Sequence, residues 1–243
     1  MLFTLPQSVL IIGGSSQIAQ AIAKECADAS TVISMISRQV APKTDEQPPT
    51  FHWFQDELQT KVSSQQCINL ALEHQPDTIF ICNGVLHDAS AMPEKTLLQL
   101  DSELLAHRFH TNVIVPAQYL QALYRYLTKT PNVKVLVLSA KVGSIADNVL
   151  GGWYSYRMTK TALNMLVKNL SIEVARINKT ASLVTLHPGT TDTPLSEPFQ
   201  KNLPLGQLQT PAQTAKRLLK VSAQLTPYQT GQLLNWDASK LPF

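Results

Sequence analysis

The stretch GGWYSYRMTKTALNMLV, residues 151–167, carries two tyrosines and a lysine. Tyr156 precedes Lys160 by four residues, whereas Tyr154 precedes it by six. In a helix, residues four apart lie one above the other, and residues six apart point in different directions. A lysine ammonium near a phenol stabilises the phenolate and lowers the pKa of the tyrosine from its ordinary value of about 10. We therefore expect Tyr156, and not Tyr154, to donate a proton to a substrate.

The elements that must position this pair alternate along the chain between strand-like and helix-like patterns. Short apolar runs predict strands at 9–12, 31–37, 51–54, 77–84, 133–139, 181–189 and 231–236. Helical periodicity falls between them, at 17–27, 62–74, 96–108, 112–128, 152–176 and 211–223. This alternation predicts an α/β fold: a Rossmann-type doubly wound parallel sheet of about seven strands, with helices on both faces. Because no repeat or linker interrupts the pattern, residues 1–243 are expected to form a single domain.

The turn GGSSQIA, residues 13–19, connects the first predicted strand to the first helix, where a doubly wound sheet binds the phosphates of a nucleotide. Two glycines allow the backbone to approach an anion closely, and two serines can cap the helix or donate to a phosphate. The later glycines of the usual fingerprint are missing, so a plain turn with a serine cap is the alternative. The predicted phosphate contacts are Gly13, Ser15, Ser16, Gln17 and Ile18.

The end of the second strand predicts which cofactor binds. A carboxylate at this place would bind the adenosine ribose hydroxyls of NAD, but the chain reads Ser37-Arg38-Gln39. Ser37 leaves room for a 2′-phosphate, and Arg38 can pair with that phosphate through two hydrogen bonds. We therefore expect NADP(H) to be preferred over NAD(H). The alternative for Arg38 is a solvated loop arginine.

These features together resemble the short-chain dehydrogenase/reductase family, over almost the whole chain. Tyr156-Arg157-Met158-Thr159-Lys160 fits the Y-x-x-x-K pattern of that family, and a strand ends at Ser139 before it. Residues 139–144 and 151–157 are most similar to C-factor-like proteins and sniffer-type carbonyl reductases. The resemblance implies an NADPH-dependent carbonyl reductase that acts on a ketone or aldehyde. The sequence fits a different Rossmann enzyme poorly, because such an enzyme leaves the tyrosine–lysine pair unexplained.

The resemblance also implies roles for further residues. Lys160 would reach the nicotinamide ribose hydroxyls, and Asn112 would hold a water of a proton relay, unless it is only a polar residue within a helix. Pro188-Gly189, with Thr191 and Thr193 after them, resembles the P-G-x-x-x-T segment that lies along the nicotinamide.

Two further positions match the family less well. The N-A-G segment after the fourth strand appears here as Ile81-Cys82-Asn83-Gly84: Gly84 matches, whereas Asn83 is shifted from the usual asparagine position. Both are expected near the cofactor. Asp56 is expected to meet the adenine amino group, with a solvated loop aspartate as the alternative.

The serine that binds the substrate oxygen is the clearest departure from the family. Its expected place, the second residue of a Ser-Ser pair, is occupied by Ala140. We expect Ser139 to supply the hydroxyl instead, because it ends the strand nearest the cleft, and Ser144 is the alternative. An enzyme without this donor would be slow. The alternative function is therefore an NAD(P)-binding sensor or signalling protein with little turnover.

Composition narrows the possible partners. The net charge is +3 and no basic run is present, so neither a nucleic-acid partner nor a membrane partner is expected. No apolar stretch approaches the roughly 18 residues of a membrane span, and the N-terminus does not resemble a signal peptide. The three cysteines lack metal-ligand spacing and indicate reduced thiols in a cytoplasmic protein. The histidines also lack the partners of a metal site.

The remaining expectations concern the substrate and the assembly. The partner is a small-molecule carbonyl or alcohol, held under a moderately apolar closing segment at 193–208 that includes Phe199. Trp153 and Tyr154 are expected to wall this pocket. By resemblance, helices such as 152–176 form the interface of a homodimer or homotetramer.

Overall fold

The computed structural model describes residues 3–27, 30–42, 50–88, 91–201 and 203–243. The strands within these residues are β1 (Ser8–Ile12), β2 (Val32–Ser37), β3 (Phe51–Gln55), β4 (Thr78–Ile81), β5 (Lys134–Leu138), β6 (Ser182–His187), β7 (Thr190–Thr191), β8 (Leu208–Gln209), β9 (Leu233–Asn235) and β10 (Lys240–Leu241). The α-helices are α1 (Gln17–Ala27), α2 (Lys61–Leu72), α3 (Ser102–Phe109), α4 (Val115–Lys129), α5 (Tyr154–Ile177) and α6 (Pro211–Gln224).

Eight strands form one sheet in the order β10-β9-β6-β5-β4-β1-β2-β3. All neighbours pair in parallel except β9 and β10, so seven strands are parallel and the doubly wound sheet predicted from the sequence is confirmed. The short strands β7 and β8 pair separately. The strand order reverses between β1 and β4, and ligands bind such sheets in the crevice at the carboxyl ends of the strands on either side of the reversal.

Helices cover both faces of the sheet and account for its continuous apolar strands. Leu10 and Ile12 belong to one core, with residues of α2, α4 and α5. Val9 and Ile11 belong to the other, with residues of α1 and α6. Because successive strand residues point to opposite faces, a strand covered on both sides must be apolar at every position.

The helical region before α4 differs from the sequence prediction. Leu97–Gln99 is only a 3₁₀ turn, and α3 begins at Ser102, after Asp101 accepts a hydrogen bond from the Leu104 N–H at 2.8 Å. A π-helical turn, His110–Ile114, then joins α3 to α4 without a break. Pro116 has no N–H for the carbonyl of Asn112 four residues earlier, which favours the wider turn at this point.

No helix in the described residues is long and apolar enough to cross a membrane. The same residues contain no group of three or more His, Cys, Asp or Glu side chains placed to hold a metal ion.

Candidate active site

The start of α5 is fixed by a buried ion pair. Glu94 and Arg108 meet at 2.9 Å, and their side chains are 1% and 0% exposed. The second carboxylate oxygen of Glu94 accepts from the Ser155 N–H at 3.2 Å, while Arg108 donates to the Ser155 hydroxyl. The backbone carbonyl of Glu94 accepts from the N–H of Trp153, whose φ of 52° is left-handed. The ion pair therefore holds the residues immediately before Tyr156.

Tyr156 and Lys160 lie together on the buried face of α5. The Lys160 ammonium lies 5.8 Å from the centre of the Tyr156 ring and donates to the carbonyl of Leu138 at 3.0 Å. Two glycines make room for the lysine. A Cβ on Gly84 would lie 3.2 Å from its Nζ, and one on Gly143 would lie 2.8 Å from its Cβ. The helical spacing thus brings this pair together, whereas Tyr154 stands one residue before the buried face and is half-buried.

Burial changes the pKa of both groups. It raises the pKa of the Tyr156 phenol, and it lowers the pKa of Lys160 from 10.5 to about 8, with a smaller opposing effect from Cys82. The direction is opposite to the lowering expected from the lysine spacing, because burial penalises the charged phenolate. The phenol is therefore protonated in the cofactor-free protein, as a proton donor must be at the start of the reaction.

Both candidate serines form hydrogen bonds within the protein. The Ser139 hydroxyl is buried and donates to Oδ1 of Asn164 at 2.7 Å, and the Ser144 hydroxyl is buried and accepts from the Asp147 N–H at 3.1 Å. Ala140, with Leu86, packs against Tyr156. The Ser139 hydroxyl is thus engaged by Asn164 of α5, and its role as the donor to the substrate oxygen stays a prediction.

Asn112 lies in the π-helical turn and connects three elements. Its side-chain Oδ1 accepts from the Val85 N–H at 2.7 Å, and its Nδ2 donates to the Val85 carbonyl at 2.9 Å and to the Thr159 hydroxyl at 3.0 Å. These bonds tie the loop after β4 to α5. The side-chain amide is thus engaged within the protein, and the water of the proton relay stays a prediction.

The glycine turn and the loop after β4 meet at the switch point. Gly13 has a φ of +88°, and a Cβ on it would lie 3.0 Å from the backbone N of Asn83. A cavity of ≈370 Å³ brings together seven of the predicted binding residues: Gly13, Ser15, Ser16, Ser37, Arg38, Asn83 and Gly84. Gln17 and Ile18 do not line it, because they already belong to the first turn of α1, where Ile18 packs on the core.

One end of this cavity is formed by the residues after β2. Ser37 is buried, and its hydroxyl accepts from the Gln39 N–H at 3.1 Å. Arg38 is exposed, and its side chain makes no ion pair with the described residues. A cation at this position is available to an anionic group of a ligand.

Asp56 does not reach the cavity. Its side chain is fully buried, with Oδ1 accepting from Ser63 and from the Gln59 N–H, and Oδ2 accepting from Ser64 at 2.7 Å and Tyr119 at 2.7 Å. The expected adenine contact is therefore corrected. This carboxylate joins the end of β3 to α2 and α4, and both of its oxygens are already occupied.

The segment after β6 contains the remaining predicted cofactor residues. Gly189 has a φ of +82°, and a Cβ there would lie 3.1 Å from the ring of Trp236. Thr191 is buried, and its hydroxyl lies 2.8 Å from the hydroxyl of Thr214 in α6. Its side chain therefore connects the segment to α6. The Thr193 hydroxyl donates to the Thr191 carbonyl at 3.3 Å. Contacts of Pro188, Gly189, Thr191 and Thr193 with a nicotinamide stay predictions.

Aromatic rings cover Tyr156. Trp153 contacts Tyr156 edge-on, with ring centres 6.3 Å apart, and Phe199 lies 4.7 Å from Trp153. His87 meets Phe199 edge-on, and its Nε2 lies 3.2 Å and 3.1 Å from the carbonyls of Pro194 and Leu195. The segment at 193–208, of which Asn202 lies outside the described residues, thus packs over the tyrosine. The roles of Trp153 and Tyr154 as walls of a substrate pocket stay predictions.

The sequence analysis did not single out Glu94, Arg108 and Asn164. Glu94 and Arg108 contact Ser155 at the start of α5, and Asn164 accepts a hydrogen bond from Ser139. Their partners lie 14 or more residues away along the chain, so spacing carried no signal of these contacts.

The residues at the switch point fit a dinucleotide. A left-handed glycine opens the turn, serine hydroxyls surround the cavity, and the buried Oδ1 of Asn83 has no hydrogen-bond partner within the described chain. An unpaired buried acceptor beside an anion-binding turn is what a ligand with both phosphates and hydroxyls would complete.

The family model described as short chain dehydrogenase matches residues 7–204, so the chain belongs to this family of oxidoreductases, whose members use a nicotinamide cofactor. Among its relatives, 1-hydroxy-2-glutathionyl-2-methyl-3-butene dehydrogenase of a Rhodococcus species is 29% identical over 180 residues, covering 74% of this chain and 76% of the relative. The C-signal of Myxococcus xanthus is 28% identical over 141 residues, covering 57% of this chain and 78% of the relative.

Solved structures agree with the fold. The carbonyl reductase Sniffer of D. melanogaster superimposes with a TM-score of 0.80 at 20% identity, covering 98% of this chain and 99% of that one. An NADPH-bound carbonyl reductase from chicken fatty liver gives a TM-score of 0.83 at 21% identity, covering 100% of this chain and 96% of that one.

Proposed function

We propose that this protein is an NADPH-dependent carbonyl reductase that converts a ketone or aldehyde to an alcohol. The observation that carries the proposal is the buried pair of Tyr156 and Lys160, whose side chains lie together beneath an aromatic cover. Reduction of a carbonyl needs a hydride at carbon and a proton at oxygen. The nicotinamide cofactor supplies the hydride when bound, and a protonated phenol supplies the proton.

The protein residues have separate tasks in this reaction. Tyr156 donates its proton to the substrate oxygen, and the Lys160 ammonium stabilises the phenolate that is left. Lys160 and a water held at Asn112 would return a proton from solvent to Tyr156. Trp153 and Phe199 exclude water above the tyrosine.

The preference for NADPH rests on Arg38. Its exposed guanidinium follows Ser37 at the adenosine end of the cavity and has room to bind a 2′-phosphate. The NADPH-bound structure of the chicken protein is consistent with this choice.

Titration with NADPH and NADH, followed by nicotinamide fluorescence, tests the cofactor, and a panel of ketones and aldehydes then tests turnover. We expect tighter binding of NADPH and its oxidation with at least one carbonyl compound. Arg38→Ala is expected to weaken NADPH about tenfold or more and leave NADH unchanged, since a charge-assisted pair is lost only with the phosphate. Tighter binding of NADH by the wild type would contradict the role of Arg38.

A second candidate function, an NAD(P)-binding sensor or signalling protein with little turnover, is favoured by one observation. Ala140 packs against Tyr156 in the position where the family has its serine, and the Ser139 hydroxyl is bonded to Asn164. The relative named C-signal is consistent with this alternative. Cofactor binding with no oxidation of NADPH by any compound of the panel would favour it over the reductase.

A homodimer or homotetramer formed through α4 and α5 belongs to the same proposal. A groove of ≈1130 Å³ runs between α2, α4 and α5, and Leu166 and Leu170 lie partly buried along it. Sedimentation equilibrium of the wild type and of Leu170→Asp tests this assembly, with a loss of association expected in the variant. We place the reaction in the cytoplasm, because three free cysteines suit a reducing compartment.

A further inference from the structure

Helix α5 begins without a cap of its own. Trp153, the residue before it, makes no side-chain hydrogen bond to the first turn, and that turn contains no acidic residue. By contrast, α2, α3 and α6 each follow a threonine or aspartate whose side chain accepts from a backbone N–H of the first turn. The first N–H groups of a helix have no intrahelical partner, so an uncapped first turn frays. Tyr156 is the third residue of α5 and lies in this turn.

Glu94 supplies the missing cap from a segment 61 residues before Ser155. Its carboxylate accepts from the N–H of Ser155, the second residue of α5, at 3.2 Å. This is the contact that a local cap makes with its own side chain. The backbone carbonyl of Glu94 also accepts from the N–H of Trp153. A negative charge at this end of a helix is favoured by the helix dipole as well.

Arg108 fixes the carboxylate in this position. Its guanidinium pairs with the other carboxylate oxygen at 2.9 Å and donates to the Ser155 hydroxyl. It also donates to the carbonyls of Ala91 and Met92 at 3.3 Å and 3.4 Å, and so holds the segment that leads to Glu94. Both charged side chains are buried, so either one without the other would be costly. The pair therefore restrains Glu94 from its side chain and from its backbone.

The conformation of Trp153 depends on the same restraint. Gly151, Gly152 and Trp153 have φ values of 64°, 64° and 52°, so three successive residues are left-handed. This region is unfavourable for a bulky side chain and persists only where the surroundings impose it. The carbonyl of Glu94 binds the Trp153 N–H, and the Trp153 ring lies edge-on to Tyr156. A shift of the segment at Glu94 would therefore move both the first turn of α5 and the ring beside the tyrosine.

We infer that Glu94 is a positioning residue for the reaction, which caps α5 from a distant segment and so holds the Tyr156 phenol in place for proton transfer. Arg108 acts through Glu94. The inference rests on the proposed function, because that function gives Tyr156 the role of proton donor. An error of about 1 Å in the position of a reacting group can lower a rate about 10²-fold.

Glu94→Gln removes the cap with the least change of shape. The amide replaces one carboxylate oxygen by a donor, so either Arg108 or the Ser155 N–H loses its acceptor. Hydrogen exchange of the segment 153–158 is expected to become about fivefold faster, the factor that corresponds to a lost N-cap. We expect kcat for NADPH oxidation to fall about 10–100-fold. The number of NADPH sites per chain and their Kd are expected to equal those of the wild type.

Two further variants separate positioning from general destabilisation. Tyr119→Phe removes a buried hydrogen bond between α4 and Asp56. It is expected to lower the melting temperature and to leave kcat and the exchange of the segment 153–158 unchanged. Glu94→Asp keeps the charge and both oxygens, and is expected to recover part of the kcat that Glu94→Gln loses. Should Glu94→Gln fail to fold, the same measurements are made on Glu94→Asp, whose shorter side chain is expected to give intermediate values.

The inference is overturned if either kcat or the exchange of the segment 153–158 is unchanged in Glu94→Gln. It is also overturned if kcat falls only in proportion to the number of NADPH sites, or falls equally in Tyr119→Phe. In these cases the reductase proposal stands. If the wild type turns over no carbonyl compound, the proposed function fails, and the exchange measurement still decides whether Glu94 caps α5.

Discussion

The Ser139 hydroxyl donates to Oδ1 of Asn164 at 2.7 Å, and this bond commits the only serine at the end of β5 to the helix behind it. The next residue, Ala140, is the one that packs against Tyr156. The carbonyl oxygen of a substrate would therefore meet one proton donor, the phenol, without a second hydroxyl beside it. A missing donor at such a position typically lowers kcat by a factor of about 10²–10³.

Restoring the hydroxyl is expected to increase turnover. Ala140→Ser places the donor beside Tyr156, and we expect kcat to rise at least about tenfold, because a neutral donor stabilises the developing charge on the substrate oxygen. Steady-state NADPH oxidation measures it. The control is Ser139→Ala, which is expected to leave kcat within about twofold and to lower stability by about 1 kcal/mol, since Asn164 loses a partner. A loss of turnover in Ser139→Ala alone would show that this serine serves the reaction after all.

Tyr156→Phe is expected to remove turnover and keep cofactor binding. The ring that packs between Ala140 and Trp153 is retained, so only the proton donor is lost and kcat is expected to fall about 10²–10⁴-fold. Nicotinamide fluorescence checks the Kd for NADPH, which should not change. Tyr154→Phe is the matched control, two residues earlier on the same helix, and is expected to behave as the wild type. Comparable losses in both variants would contradict the helical-spacing argument.

Lys160→Met is expected to abolish the reductase and to change how stability depends on pH. The folded pKa is about 8 and the ordinary value is 10.5, so between these values the unfolded chain binds a proton that the folded protein does not. The free energy of unfolding of the wild type therefore gains from this group as pH rises from 8 to 10.5, by up to about 1.4 kcal/mol per pH unit. Urea denaturation across this range measures the effect. In the variant, the free energy of unfolding should rise less between pH 8 and pH 10.5, because the contribution of Lys160 is missing. Equal slopes of the free energy of unfolding against pH in the two proteins would contradict the lowered pKa of Lys160.

The sheet and the tyrosine–lysine pair were predictable from sequence because each depends on local regularity. Apolar strands between helical periods define the doubly wound order, and four-residue spacing on α5 places Tyr156 beside Lys160. The glycine turn was recognisable from its position after β1. Sequence alone therefore predicted the elements that lie at the cleft and most residues that line its cavity.

The residues that sequence failed to place depend on contacts between distant segments. Asp56 looked like a loop aspartate open to ligand, but Tyr119, 63 residues later, donates to its carboxylate inside the protein. The direction of the Tyr156 pKa shift also escaped prediction, since it follows from burial under Trp153 and Phe199 and not from the lysine spacing. Burial is a property of the assembled fold, and a motif does not report it.

His187, at the end of β6, is expected to make the protein sensitive to acid. Burial lowers its pKa from 6.5 to about 4, with a smaller contribution from Lys141, so the imidazole stays neutral in the folded protein. As pH falls from 6.5 towards 4, the unfolded chain takes up a proton that the folded protein does not, and the free energy of unfolding falls. His187→Gln removes this proton uptake. Compared with the wild type, the variant is expected to lose about 1–2 kcal/mol less stability between pH 7 and pH 5, measured by urea denaturation. An identical loss in both proteins would show that other groups govern the acid transition.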